Sequence, residues 1–153
     1  MRRFLACLAL SLAPCSAYAA DTPGLTSMVF VERAVADGRG RTRVVLELPG
    51  RVASGDRLVF MVGYRDAVAA NGSRFVVTPL PATVAYQGTT DRGAVVSIDG
   101  GHRWGPLSHL RVRERDGSVR DARAEDVTHV RWTVDPAAAA GYRGKLMFRG
   151  IVR

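Results

Sequence analysis

Apolar and polar side chains alternate along most of this chain, and the dominant period is two. Residues 43–48 read Arg43-Val44-Val45-Leu46-Glu47-Leu48, which predicts a half-buried strand with Val44, Leu46 and Leu48 on its buried face. Residues 57–64 set Leu58, Phe60, Val62 and Tyr64 on one side and Val59 and Met61 on the other, the pattern of a central strand covered on both faces. Comparable runs recur at 28–33, 74–78, 83–86, 94–98, 110–114, 129–134 and 145–152, nine candidate strands in all. Within 129–134, His129 and Arg131 alternate with Val130 and Trp132, so the first pair is expected to face outward and Trp132, like Tyr64, to lie inside.

The breaks between these runs are turn chemistry: Gly38-Arg39-Gly40, Pro49-Gly50, Ser54-Gly55-Asp56, Asn71-Gly72-Ser73, Asp99-Gly100-Gly101 and Asp116-Gly117. Short strands with frequent punctuation predict an all-β fold, an antiparallel sandwich of about 7–9 strands. Asp116-Gly117 sits between 113–115 and 118–120, where a two-residue turn with both φ angles positive would join two hairpin arms. Beyond the first segment no stretch keeps a helical period for three turns, and residues 137–140, bounded by Pro136 and Gly141, read as a loop or a single turn.

The first residues stand apart. Arg2 and Arg3 precede an apolar run over 4–13, and Ala17-Tyr18-Ala19 offers small residues before a cut, the layout of a helical secretory signal peptide. About ten apolar residues are too few to cross a bilayer that needs about twenty. The expected organisation is a signal over 1–19, cleavage between Ala19 and Ala20, and one domain over 20–153. A lipoprotein signal acylated at Cys15 is the competing reading, against which Pro14 stands where a small residue is wanted. Cys7 and Cys15 are the two cysteines of the chain, so after cleavage no disulfide, thiolate metal site or cysteine nucleophile is available. Loss of Arg2 and Arg3 takes the net charge from +8 to +6. Arginine supplies nearly all of that excess, Lys145 being the single lysine.

From Gly55 the order of features is more specific. The stretch Gly55-Asp56-Arg57-Leu58-Val59-Phe60-Met61-Val62-Gly63-Tyr64 is followed by Phe75-Val76-Val77-Thr78-Pro79-Leu80-Pro81-Ala82-Thr83-Val84-Ala85-Tyr86, in which Pro79 and Pro81 fix a bend. Later come Val96-Ser97-Ile98-Asp99-Gly100-Gly101 and Asp126-Val127-Thr128-His129-Val130-Arg131-Trp132, then a closing run over 144–152. This succession resembles the conserved-repeat domain of bacterial surface proteins catalogued as domain of unknown function number eleven. Asp66 stands where that family usually has asparagine. The resemblance implies an immunoglobulin-like sandwich in an envelope or extracellular protein and no catalytic activity.

The chemistry-bearing residues form no recognisable catalytic set. His102, His109 and His129 have spacings that match no metal-ligand signature. The carboxylates Asp91, Asp99, Glu125 and Asp126 lack the repeated spacing of a dedicated calcium loop. Ser97 and Ser108 sit in no nucleophile elbow, and Ser108-His109 are neighbours expected to point to opposite faces of an extended segment. Lys145 and Asn71 are the one pair available for an isopeptide bond, with no obvious partner acid. No catalytic residue, metal or cofactor is therefore expected. The expected partner surface comprises Trp104, in a glycine-rich segment that should expose it, and the arginines Arg111, Arg113 and Arg131 of a basic sheet face. Two readings follow: an exported, non-catalytic envelope module binding a protein or surface polymer, or a soluble periplasmic ligand- or carbohydrate-binding protein using the loops near Trp104. Neither a nucleic-acid partner nor a mature integral membrane protein is expected.

Overall fold

The computed structural model describes residues 25–64, 75–134 and 144–153. The expected signal segment with Ala19 and Ala20, Asp66, the Asn71 turn and the loop at 137–140 lie outside the described residues. Ten strands are described, one more than the nine candidate runs: β1 (Leu25–Ala36), β2 (Thr42–Glu47), β3 (Arg57–Tyr64), β4 (Phe75–Pro79), β5 (Val84–Gly88), β6 (Ala94–Ser97), β7 (Arg111–Arg113), β8 (Val119–Asp121), β9 (His129–Thr133) and β10 (Gly144–Val152). Every pairing is antiparallel. They form a five-stranded sheet in the order β2-β1-β3-β10-β5, a three-stranded sheet β4-β9-β6 and a ribbon β7-β8. The fold is an all-β sandwich.

Alternation explains how the two larger sheets meet. Phe60, Leu58 and Val62 of β3 share their face with Val31 of β1 and Phe148 of β10, while Val76, Val96, Val130 and Trp132 line the inner face of the other sheet, and all belong to one buried cluster. Phe148 is at its centre. Its ring stacks on that of its register partner Phe60 at 4.6 Å and 2°, and the Trp132 ring from the opposite sheet comes to 5.9 Å at 41°. Tyr86 of β5 closes the group at 6.4 Å. β3 is central and covered on both sides, since Val59 on its outer face is also buried. The Arg149–Glu32 ion pair, 2.8 Å long, crosses over β3 from β10 to β1 and shields that residue.

Room for this packing depends on two glycines of β10. At Gly150, where the β10–β5 register shifts, an added Cβ would lie 2.3 Å from Val84 Cγ1. At Gly144 it would fall within the Tyr64 ring, which lies over the glycine of the paired strand. Neither position tolerates a side chain without displacing its neighbour.

Two expectations are corrected by register. Val44, Leu46 and Leu48 are 65%, 42% and 76% exposed and do not share a buried face. β2 pairs only with residues 31–36 of β1, the half of that strand that has left β3 behind. Ala34↔Val44 and Glu32↔Leu46 place those side chains on the outer face of the sheet, opposite the core-facing Val31. The Asp116-Gly117 hairpin does form between β7 and β8, but its loop is longer than two residues. Glu114 and Ser118 close it through Glu114 N–H to Ser118 O at 2.9 Å, and Gly117 N–H returns to Glu114 O at 3.1 Å with Gly117 at φ 86°, the three-residue turn-plus-bulge form.

Phe148→Ala is expected to cost about 3–5 kcal/mol, a large fraction of the total of about 5–15 kcal/mol available to a folded domain. Trp132→Phe should cost far less than Trp132→Ala, because the indole Nε1 is buried without a hydrogen-bond partner among the described residues and its removal relieves an unpaired donor. Urea unfolding followed by circular dichroism measures both; equal losses for the two Trp132 variants would contradict the packing described.

Candidate interaction site on the three-stranded sheet

The outer face of β4-β9-β6 carries the side chains that alternate with the core: Phe75 and Val77 from β4, His129 and Arg131 from β9, Val95 and Ser97 from β6. The chain then folds back on itself. Asp99 organises the return, accepting the backbone N–H groups of His102 at 3.1 Å and Arg103 at 2.9 Å and the Ser97 hydroxyl at 2.8 Å. These bonds hold its carboxyl below the usual carboxylate range, the Arg103 backbone N–H contributing most and the Ser97 hydroxyl next. Gly105 and Val96 then exchange both backbone hydrogen bonds, at 2.9 and 3.1 Å. By antiparallel alternation this sets Trp104 beside Ser97, which is fully buried, and carries the indole over the small residue toward β9.

Trp104 meets His129 edge-on at 6.4 Å and 78°, and the Arg131 guanidinium carbon lies 4.5 Å from its ring centroid. On the other side of β9, Phe75 approaches the same guanidinium at 4.5 Å. Arg131 is thus held between two aromatic rings. Its Nε is buried and makes no hydrogen bond among the described residues, and no carboxylate there pairs with it. Each cation–π contact is worth about 0.5–2 kcal/mol, and a buried unpaired donor costs about 1–3 kcal/mol. The two roughly cancel, so the stack fixes the guanidinium without satisfying its Nε–H. A guanidinium held in this way is oriented for a planar acceptor approaching in its plane, a carboxylate above all.

A groove of about 550 Å³ is bounded by the returning loop and the ribbon, lined among others by Asp99, Arg103, His109, Arg111 and Arg113. The ribbon that forms one wall is anchored by Arg120. Its Nη1 and Nη2 donate to both oxygens of Asp126 at 2.6 and 2.8 Å, and its Nε donates to Glu114 at 2.6 Å. Arg111 is ion-paired with Asp121 across the ribbon at 2.9 Å, and Arg113 donates to Gly117 O at 3.4 Å.

The expected surface residues therefore divide into two neighbouring groups. Trp104 and Arg131 come together, but Trp104 is half-buried against the sheet and does not project freely. Arg111 and Arg113 lie on the separate ribbon, so no single basic sheet face joins them to Arg131. Arg149 sits on the five-stranded sheet, tied to Glu32. Ser108 and His109 lie in a 3-10 turn, Leu107–His109, and not on an extended segment. Phe75 was the residue the chain pattern concealed, being one apolar position of a strand whose inner side is Val76 and Thr78. A second unread signal is the spacing Asp-Gly-x-x-Arg at 37–41, 99–103 and 116–120. In the first two copies the aspartate accepts both the backbone N–H and the Nε of the arginine four residues on; in the third, Arg120 is diverted to Asp126.

Among the described residues no group of three or more His, Cys, Asp or Glu side chains converges to hold a metal, and no helix is long and apolar enough to cross a membrane. A scan against protein-family models, a search of curated proteins and a search of solved structures each found no match to this chain.

The Asp126 carboxyl is held below its ordinary value, chiefly by the Arg120 hydrogen bonds and further by the Arg123 backbone N–H. A carboxylate with a depressed folded pKa contributes stability that is complete above the unfolded value of about 3.9 and drains as pH falls through the folded one. Asp126→Asn is expected to make the acid limb of a melting-temperature profile shallower below about pH 4, though not flat, because Arg33 holds Asp56 down as well. Superimposable acid limbs would contradict the role given to the Arg120–Asp126 pair.

Proposed function

We propose that this chain is a non-catalytic interaction module of the bacterial cell envelope, exported to the periplasm or cell surface. It engages a carboxylate-bearing envelope protein or surface polymer through Arg131 and the basic groove beside it. The observation that carries this reading is the Arg131 guanidinium, fixed between Phe75 and Trp104 with its buried Nε left without a hydrogen-bond partner among the described residues. An arginine already immobilised loses little further side-chain entropy when it binds, so its hydrogen bonds translate more fully into affinity. The signal-like first residues support the envelope assignment. So does the resemblance of 55–64 and 75–86 to the surface-repeat domain of unknown function number eleven.

The groove supports a second reading, a soluble ligand- or carbohydrate-binding protein whose Trp104 loop forms one wall. Trp104 serves both, as a wall of the Arg131 stack and as part of the loop that bounds the groove.

Saturable binding of the purified chain to isolated envelope material separates the two. Under the first reading Arg131→Gln weakens binding by about 10–100-fold, the loss of hydrogen bonds to a charged group, and Arg131→Lys, which keeps the charge without the fork, restores little of it. Envelope binding that is indifferent to both substitutions would sink the proposal and leave the soluble-ligand reading.

A further inference from the structure

Besides the initiator the chain has three methionines, and the sheet brings all of them into one row. Met28 of β1 is the register partner of Met61 of β3, and Met61 is the partner of Met147 of β10. Directly paired residues share a face, and this row lies on the outer side of the five-stranded sheet, between the core-facing positions Val29, Phe60 and Phe148 on one flank and Ser27, Val62 and Leu146 on the other. Positions 28, 61 and 147 are far apart in sequence, so no local pattern requires the coincidence. Met28 is 45% exposed, and the other two are half-buried.

We propose that Met28, Met61 and Met147 form a thioether site for one copper(I) ion. Side chains directly opposite on antiparallel strands have Cβ atoms about 4.5–5.5 Å apart, and methionine has three rotatable bonds with which to lean its sulfur toward a neighbour. An ion above Met61 is therefore within reach of all three sulfurs. Soft thioethers select copper(I) over harder cations. They are also neutral, so they offer no charge to offset the desolvation of a divalent ion, whereas a monovalent one loses less on leaving water. Binding transfers no electron and releases no proton, because the ion arrives as copper(I) and thioethers carry no proton to displace.

The surroundings fit a held ligand set. Both backbone groups of Met147 are clamped by the loop after β5: the Thr89 hydroxyl donates to its carbonyl at 2.5 Å, and Asp91 Oδ2 accepts its N–H at 2.6 Å. Thr89 in turn accepts the Asp91 N–H at 3.0 Å. This fixes the strand at Met147, beyond the last β5 pairing at Gly88. On the same face, Arg149 is neutralised by Glu32, and Lys145 is exposed and free to extend into water.

The test is competition of the purified full chain for copper(I) presented as its bis-bicinchoninate complex under anaerobic, reducing conditions. One equivalent should be withdrawn, and Met61→Leu, a volume-conserving change, should weaken uptake by about a hundredfold or more, since even groups behind a ligand cost 10–100-fold when removed. In protein carrying ¹³C-methyl methionine, one equivalent of silver(I), a stand-in of the same charge and softness, should shift the methyl resonances of Met28, Met61 and Met147 together. This second measurement uses the unmutated chain and stands even if Met61→Leu fails to fold. No withdrawal of copper(I), equal withdrawal by wild type and folded Met61→Leu, or silver shifts confined to one methyl would each overturn the proposal.

Discussion

Phe148 is the residue on which both layers of the sandwich rest. It lies on β10, is paired in register with Phe60, and receives Trp132 from the facing sheet. A pair of aromatic rings adds about 0.5–1.5 kcal/mol beyond the area it buries, but the larger consequence is geometric. With Phe148, Phe60 and Trp132 filling the centre, β10 can carry no bulk on the same face at Gly144 or Gly150, where Tyr64 and Val84 occupy the space. The inward position of Trp132 also dictates the outward positions of its neighbours. Once Val130 and Trp132 are buried, His129 and Arg131 must face away from the core, and the interaction site is the reverse side of the packing.

Strands dense in buried apolar residues were legible in the sequence. β3 and β9 follow their apolar alternation, and β3 has the bounds its pattern predicts. β2 misleads because alternation reports that two faces differ without saying which one the fold covers; Val44, Leu46 and Leu48 lie beyond the reach of the second sheet. β1 runs well past its apolar segment because it changes partner at Val31, and backbone pairing sustains ends such as Thr26 and Ala36 that no alternation marks. The candidate site was half visible. Arg131 and Trp104 stand out as residue types, but their meeting depends on the Gly105–Val96 bridge, and Phe75 joins them from a strand more than fifty residues before β9. Such contacts are set by register, and local pattern does not encode it.

The outer faces of the two sheets carry different chemistry. The three-stranded sheet presents an arginine between aromatic rings, suited to a planar anion, and the five-stranded sheet presents a row of thioethers. In the thioether row, adjacent-strand registry makes residues remote in sequence into neighbours about 5 Å apart, whereas Phe75 reaches Arg131 diagonally, its register partner being Thr133. The loops contribute order at little cost, through aspartates that gather backbone N–H groups at Asp37 and Asp99.

The binding site requires that Arg131 be clamped between Phe75 and Trp104 in solution with its Nε–H shut away from water. The Arg131 Nε–H resonance, assigned by its disappearance in Arg131→Lys, reports this directly. Ring currents from two faces should move it and the adjacent Cδ protons upfield, and burial should make the Nε–H the slowest-exchanging arginine side-chain proton of the protein. An Arg131 signal at the position and exchange rate of the exposed arginines would contradict the clamp, and with it the binding site built around it.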